Sequence, residues 1–242
     1  MTKKRVLVVG AHPDDEIIFF WPILFQHQLD IELLICSSDE NNPERIRYRR
    51  RKEALLAVCR MIGIPVKCLP YNSEFYRLPS RTTEHGRGEI FKVVDDIRAR
   101  VMGADVDAIV THNAHGEYGH GDHRLVNNIV VESTSLPVWF TDIHVYANWP
   151  LGSKVEALSP KRGYVPSALL YETQMSGNQR KLYEQCERVY RHIGCWTWSQ
   201  IPLTECKIYR TISSAESSMQ RSGHDLRVSV GAVAQTSNLT PM

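Results

Sequence analysis

Residues 5–16 read Arg-Val-Leu-Val-Val-Gly-Ala-His-Pro-Asp-Asp-Glu, and this stretch decides the fold. Residues 5–10 are a short, valine-rich apolar run, the pattern of a strand that is buried on both faces of a sheet. Four polar residues follow at once, namely His12, Asp14, Asp15 and Glu16. Pro13 restricts the backbone between them, so we expect a stiff turn at the carboxyl end of the strand, where open α/β sheets bind their ligands.

This first polar cluster has two interpretations. In one, Asp14 or Asp15 caps the helix that follows, as aspartate often does. In the other, the cluster supplies metal ligands, because imidazole and carboxylate suit zinc and a catalytic zinc site needs three protein ligands with one position open. A second histidine cluster farther along the chain favours the metal.

The second cluster follows another apolar run, at residues 107–111. It reads His-Asn-Ala-His-Gly-Glu-Tyr-Gly-His-Gly-Asp-His over residues 112–123. Parallel strands end on the same edge of a sheet, so we expect the two clusters to converge. Together they offer His12, Asp14, Asp15, His120, Asp122 and His123. Bound zinc lowers the pKa of its water toward ~7, a free carboxylate can act as general base, and a free histidine can protonate a leaving group.

The rest of the chain alternates strand and helix patterns. This alternation predicts one α/β domain with a Rossmann-like, largely parallel sheet flanked by helices. Further strands are expected at residues 31–36, 66–69, 138–146 and 164–171. Helices are expected at residues 16–28, with a kink or late start at Pro22, and at residues 44–62, 88–102, 121–133 and 174–192, the last with little apolar face.

Two segments are expected to lie outside these elements. The loop at residues 70–85 carries Tyr71, Phe75 and Tyr76 and is long enough to act as a substrate-binding flap. Beyond residue 210 Ser, Thr, Asn, Gln and Gly dominate. We therefore expect one domain over residues 1–210 and a disordered tail over residues 211–242.

Composition narrows the class of protein. A chain of 242 residues with 43% hydrophobic content can bury a large core, and a net charge of +2 gives no reason to expect nucleic acid. The six cysteines are scattered and fit small core residues in a reducing compartment. Because residues 1–5 run directly into the first strand, we expect no signal peptide, and no apolar run approaches the ~20 residues that span a bilayer. We expect a cytoplasmic protein without an integral membrane segment, and a homo-oligomer stays open.

Residues 11–16 (Ala-His-Pro-Asp-Asp-Glu) and 118–123 (Tyr-Gly-His-Gly-Asp-His) together resemble the zinc-dependent N-deacetylases of the PIG-L/LmbE family. The resemblance covers about residues 4–150. It implies the LmbE-like fold and hydrolysis of the N-acetyl group of an N-acetylglucosamine-type sugar. That sugar would belong to a glycoconjugate, an activated sugar or a natural-product precursor.

The resemblance also implies roles for single residues. One zinc ion per chain, or another divalent metal, would be held by His12, Asp15 and His123. Asp14 would be the general base. His120 would be the general acid that protonates the departing amine, or would steady the oxyanion, and Tyr118 would assist it. Asp122 would orient an active-site imidazole, which we expect to be that of His120.

Two features bear on the substrate. The Arg-Arg-Lys-Glu at residues 50–53 falls where the family has Arg-x-x-Glu, so Arg50 is expected to face the substrate. The arginines around it can meet a phosphate on a carrier. Residues 19–22 (Phe-Phe-Trp-Pro) are similar to the branch that acts on GPI-anchor precursors, whereas many bacterial members have a glycine pair there. The sequence lacks that branch's membrane anchor, so a soluble or activated carrier is expected.

Other readings stay open at this point. The chain could cleave a larger amide, as in a thiol conjugate, or hold a metal without catalysis. A non-hydrolytic nucleotide-binding protein is disfavoured, because the first strand lacks Gly-x-Gly-x-x-Gly and Asp14 and Asp15 would repel a phosphate. His112 and His115 do not fall on the family's ligand positions and are expected to bond within the loop or contact substrate. His144 is expected to be a core residue, with the site as the alternative.

Overall fold

The computed structural model describes residues 2–40, 46–76, 84–143, 167–198 and 204–211, and the structural statements below concern these residues. Its strands are β1 (Lys4–Gly10), β2 (Leu29–Ile35), β3 (Val66–Cys68), β4 (Ala108–Thr111), β5 (Val138–Ile143), β6 (Ser167–Gln174) and β7 (Glu205–Thr211). Its helices are α1 (Asp15–Ile18), α2 (Trp21–Leu24), α3 (Ile46–Arg49), α4 (Arg51–Ile62), α5 (Glu84–Met102), α6 (Gly121–Ser133) and α7 (Gly177–Ile193).

The strands form one sheet in the order β3-β2-β1-β4-β5-β7-β6. Strands β1 to β5 are parallel, whereas β7 runs antiparallel to both β5 and β6. The expected α/β fold with a largely parallel sheet is confirmed. In the register of β1 and β4, Val9 pairs with Thr111, so the loops after these two strands leave the sheet side by side.

Helices cover both faces of the sheet because successive residues of β1 point to opposite sides. Val6 and Val8 belong to one hydrophobic cluster, which includes residues of α1, α2, α4 and α7. Leu7 and Val9 belong to the other, which includes residues of α5 and α6. The unbroken apolar pattern of β1 therefore reflects a strand buried on both faces.

Two predicted helices are each broken in two. The helix expected at residues 16–28 forms α1 and α2, with Pro22 in the first turn of α2. Proline has no N–H and its ring clashes with the preceding turn, so it starts a helix more readily than it continues one. The helix expected at residues 44–62 is described from residue 46 as α3 and α4, and Gly63, with φ 74°, ends it.

The C-terminal elements differ most from expectation. Helix α7 was expected to have little apolar face, but it buries Tyr183, Cys186 and Tyr190 on one side. Strand β7 was not expected at all, and it pairs with both β5 and β6. It ends at Thr211, close to the predicted end of the domain at residue 210.

Some expectations concern parts of the chain that lie outside the described residues. These are the tail from residue 212, His144 and residues 77–83 of the loop. The cysteines are free, and all are buried except the half-buried Cys68. No helix in the described segments is both long enough and apolar enough to cross a bilayer.

Candidate active site

The loops after β1 and β4 bring three buried side chains together, as expected. His12 Nδ1 lies 3.2 Å from His123 Nε2, and Asp15 Oδ1 lies 3.5 Å from the same nitrogen. His12 Nδ1 is 3.7 Å from Asp15 Oδ2. A tetrahedral ion with bonds of about 2.0–2.1 Å separates its ligand atoms by about 3.3 Å, so the two imidazole nitrogens have the spacing of zinc ligands, and the carboxylate of Asp15 lies beside both.

Two further carboxylates determine which nitrogen each histidine offers. Asp122 Oδ2 lies 2.8 Å from His12 Nε2, and Glu117 Oε2 lies 2.5 Å from His123 Nδ1. Each carboxylate accepts the N–H of its imidazole, which leaves lone pairs on His12 Nδ1 and His123 Nε2. Burial also lowers the pKa of His12 well below its ordinary value, so this imidazole is neutral. Two lone pairs that face each other at 3.2 Å fit a cation between them, and the donor set suits zinc or a similar ion.

Backbone amides hold the carboxylate of Asp15 in place beside the two histidines. Its Oδ2 accepts hydrogen bonds from the amides of Ala11 at 2.9 Å and His12 at 2.7 Å. Burial would raise the pKa of Asp15, but His123 and His112 outweigh it and hold that pKa far below its usual range. The carboxylate is therefore ionised, and Oδ1 is the oxygen on the side of His123.

Two further trios have donor atoms close enough to hold an ion, namely His12, His120 and His123, and Asp15, His112 and His123. His120 fits the first trio poorly, because its Nδ1 accepts the amide N–H of Asp122 and its proton is then on Nε2. His112 fits this role poorly, because its Nε2 lies 3.1 Å from Asp15 Oδ2 and its Nδ1 lies 3.1 Å from Glu117 Oε2. Burial would lower the pKa of His112, but Glu117 and Asp15 outweigh it and raise it to about 10. An imidazolium between two carboxylates is a hydrogen-bond donor rather than a ligand, so the expected loop hydrogen bonding is what His112 makes.

Glu117 is the site residue that the sequence reasoning missed. It is fully buried, and it contacts His123 and His112, whose rings are stacked with centroids 3.8 Å apart. Burial would raise the pKa of Glu117, but these two histidines outweigh it and lower it to about 2. The sequence marks Glu117 only by its place in the second polar cluster.

Asp14 is held in a strained backbone conformation beside the trio. Its φ is 103°, in the left-handed region that costs a non-glycine residue on the order of 1–3 kcal/mol. Its Oδ2 accepts hydrogen bonds from the guanidinium of Arg51 and from the indole N–H of Trp198. Burial raises the pKa of Asp14 to about 7, although Arg51 opposes the shift. Strain of this kind concentrates at functional sites.

His120 completes the group of histidines. Its ring centroid lies 4.7 Å from those of His12 and His123, and 5.6 Å from that of Tyr118. His120 caps α6, and its Nδ1 accepts the amide N–H of Asp122. Burial and the neighbouring His123 lower the pKa of His120 to about 3, so the ring is neutral and carries its proton on Nε2.

Asp122 was expected to orient His120, but its carboxylate contacts His12 instead. It also accepts hydrogen bonds from the amides of Glu74 at 2.5 Å and Tyr76 at 2.8 Å, which fixes the start of the loop expected to act as a flap. Gly121 permits this approach, because a Cβ there would lie 2.3 Å from Cδ2 of Tyr76. Burial raises the pKa of Asp122 to about 7.

The arginine that reaches the site is Arg51, whereas Arg50 lies outside it. Arg50 is exposed, pairs with Glu53 at 3.2 Å and donates to the carbonyl of Ile193. Consecutive residues in helical conformation point about 100° apart, so the neighbouring Arg51 points to a different side and is buried against Asp14. His115, the remaining histidine of the second cluster, is half-buried, and its amide donates to Asn113.

An aromatic group stands over the histidines. Phe19, Tyr118 and Trp198 contact one another, with ring centroids 5.5–6.3 Å apart. Phe19 and Tyr118 also contact the ring of His123, at 5.5 and 5.6 Å. Trp198 follows α7, so the C-terminal part of the chain contributes to the site.

Comparison with known proteins points to one family. A family model described as "GlcNAc-PI de-N-acetylase" (PIG-L) matches residues 7–134, more than half of the chain. The N-acetylglucosaminyl-phosphatidylinositol de-N-acetylase of Bos taurus is 32% identical over 134 residues, which are 52% of this chain and 49% of that protein. The 1D-myo-inositol 2-acetamido-2-deoxy-alpha-D-glucopyranoside deacetylase 1 of Catenulispora acidiphila is 23% identical over 55% of this chain and 49% of that protein. The chain thus spans about half the length of these two relatives.

Solved structures support the fold. A deacetylase from the biosynthesis pathway of teicoplanin superposes with a TM-score of 0.56 at 15% identity, over 86% of this chain and 98% of that one. The A40926 pseudoaglycone deacetylase Dbv21 superposes with a TM-score of 0.53 at 14% identity, over 86% of this chain and 97% of that one. At these identities the likeness establishes a shared architecture.

Proposed function

Because the chain belongs to the PIG-L family of GlcNAc-PI de-N-acetylases, in which metal dependence is typical, we propose that it is a metal-dependent hydrolase. Its reaction is removal of the acetyl group from an N-acetylglucosamine-type sugar. One observation carries the proposal: His12 Nδ1 and His123 Nε2 lie 3.2 Å apart beside the carboxylate of Asp15, and each ring has a second carboxylate at its other nitrogen. His12, Asp15 and His123 would hold the metal, for which zinc is the first choice.

The residues around the metal ligands have separate tasks. When bound, a divalent ion supplies Lewis-acid activation of water and of the amide carbonyl. Asp14 accepts the proton of the attacking water, and a pKa raised to about 7 suits a base that works near neutral pH. His120 was expected to be the general acid, but its neutral imidazole has no acidic proton to give the amine. Its Nε2–H instead donates a hydrogen bond to the developing oxyanion, and the proton that Asp14 took from water passes to the amine as the C–N bond breaks. Tyr118, which packs against His120, assists it.

The sugar is held by groups that flank the ligands. Tyr118, which is half-buried and packs on the fully buried Phe19, offers aromatic surface to a sugar ring. Arg51 is the arginine of this site, in place of Arg50. Its buried guanidinium fixes the carboxylate of Asp14.

The names of the two curated relatives suggest which carriers to test first. Each name contains a glucosamine derivative joined to inositol, with a phosphatidyl group in the bovine protein and none in the bacterial one. We therefore place N-acetylglucosaminyl-inositol compounds ahead of other N-acetylglucosaminides. The two kinds of carrier differ in the phosphate, so both a phosphate-bearing and a neutral compound are tested.

Acetate release tests the proposal. Purified protein loaded with zinc is incubated with N-acetylglucosaminyl-inositol, its phosphate-bearing form, a chito-oligosaccharide and an amide-linked thiol conjugate. We expect acetate from at least one N-acetylglucosaminide, loss of that activity with chelator and recovery with added zinc. Cleavage of the thiol conjugate alone would identify an amidase, and no acetate from any N-acetylglucosaminide would contradict the proposal.

A further inference from the structure

The C-terminal part of the chain contacts Asp14 at its carboxylate. Trp198 lies just after α7, outside the residues that match the family model. Its indole N–H donates to Asp14 Oδ2 at 3.2 Å, and Arg51 donates to the same oxygen. With two donors on Oδ2, Oδ1 is the oxygen left to accept a proton.

The same part of the chain reaches Asp14 at its backbone. The amide of Asp14 donates to Glu16 Oε2 at 2.8 Å. The other oxygen of Glu16 accepts the hydroxyl hydrogen of Tyr190, on α7, at 2.5 Å. Glu16 and Tyr190 are both fully buried, so this chain of hydrogen bonds has no competition from water.

A residue with φ 103° keeps its conformation only where its surroundings hold it. We infer that Tyr190 and Trp198 position the general base: Trp198 holds the carboxylate of Asp14, and Tyr190 holds its amide through Glu16. The inference rests on the proposed function, in which Asp14 takes the proton of water. Tyr190, Glu16 and Trp198 are positioning residues, since they act through Asp14.

The neighbouring tryptophan provides a matched control. Trp196 is two residues away, and its buried indole nitrogen has no hydrogen-bond partner among the described residues. Trp198→Phe and Trp196→Phe each keep a six-membered ring and remove one indole N–H. Only the first removes a hydrogen bond to Asp14.

We expect Trp198→Phe to lower kcat about tenfold while KM changes less than twofold, because a charge-assisted hydrogen bond that orients the base is lost. Bound metal should stay at the wild-type level, and Trp196→Phe should keep the wild-type kcat. Tyr190→Phe, measured where it folds, should also lower kcat with metal retained. Wild-type kcat in Trp198→Phe, or the same loss in both tryptophan variants, would overturn the inference.

A readout without turnover separates this inference from the proposed function. In ¹⁵N-labelled protein the indole N–H signal of Trp198, assigned by its loss in Trp198→Phe, should shift in Asp14→Asn, and that of Trp196 should not. If the wild type is active but the Trp198 signal does not shift in Asp14→Asn, the inference that Trp198 positions Asp14 is wrong. If the Trp198 signal shifts in Asp14→Asn but the wild-type protein releases no acetate, the proposed function is wrong, whereas the contact between Trp198 and Asp14 is supported.

Discussion

Paired carboxylates and imidazoles organise this site residue by residue. Asp122 behind His12 and Glu117 behind His123 fix the tautomers, so that the two nitrogens facing each other are acceptors. Such partners behind metal-binding histidines usually set ring orientation and basicity. These contacts support the interpretation of the first polar cluster as a metal site. The alternative, helix capping, is not observed, because α1 has no side-chain cap.

The first prediction concerns metal content. Wild-type protein should bind one divalent ion per chain, and His12→Ala and His123→Ala should each lose it, because two ligands do not retain an ion that needs three. His115→Ala, from the same loop as His123, is the control and should keep the ion. Elemental analysis of the purified proteins measures this, and a full complement of metal in both ligand variants would refute the assignment.

The second prediction concerns Glu117. Glu117→Gln should weaken metal binding about 10–100-fold, because a neutral amide supports the ligand nitrogen of His123 less well. Competition with a chelator measures the affinity. An unchanged affinity would mean that Glu117 serves the stability of the loop rather than the metal.

Residues near the site were predictable where local pattern sufficed. The strand followed by His-Pro-Asp-Asp, and the second cluster after β4, indicated which loops would converge, because parallel strands end on one edge. Glu117 and Trp198 could not be found in this way. Their roles depend on which side chains pack beside them in the folded chain, and the spacing of residues in the sequence does not predict those contacts.

At the scale of elements, α7 shows why the polar composition of a helix led us to expect little apolar face. Its exposed face is strongly polar, and two of its three buried residues are tyrosines, which a simple count treats as ambiguous. Yet Tyr183, Cys186 and Tyr190 lie three and four positions apart, the spacing of one helix face. Strand β7 lies far from its partners in sequence, so only the assembled sheet reveals it.

The third prediction concerns the end of the chain. A protein that ends at Thr211 should fold and keep its metal, because the tail beyond it carries little apolar surface to bury. A protein that ends at Thr204 should not fold, since it loses β7, which pairs with both β5 and β6. Thermal unfolding followed by circular dichroism distinguishes them. Failure of the longer form would show that the tail docks on the domain.

At the scale of the whole molecule, the arginines near the start of α4 divide into two kinds. Arg51 is buried against Asp14, whereas Arg49 and Arg50 are exposed. Exposed charges act on an approaching phosphate through solvent, while a buried one acts on the group it contacts. The net charge of +2 adds no strong attraction of its own.

The fourth prediction follows from that division. Wild type should have a higher kcat/KM for the phosphate-bearing N-acetylglucosaminyl-inositol than for the neutral one, and the double change Arg49→Ala with Arg50→Ala should reduce that preference. Arg51→Ala should lower kcat/KM for both substrates alike. Equal kcat/KM for the two substrates in wild type would show that the protein does not recognise the phosphate.

The fold as a whole was predictable in its parallel half. Buried apolar runs alternating with helix patterns indicated β1 to β5 and the helices between them. Of the antiparallel pair, β6 was expected at residues 164–171 and β7 was missed, because edge and near-edge strands bury less and their pattern is weaker. The limits of the domain at residue 210 and the character of the tail stay predictions.

The most direct test of the central claim measures metal and turnover in one sample of Asp14→Asn. The account has three residues holding the metal and Asp14 taking the proton, so this variant should keep one ion per chain and lose about 10²–10⁴-fold in acetate release. Loss of the ion would mean that Asp14 is a ligand. Full metal with undiminished acetate release would show that Asp14 is not the base.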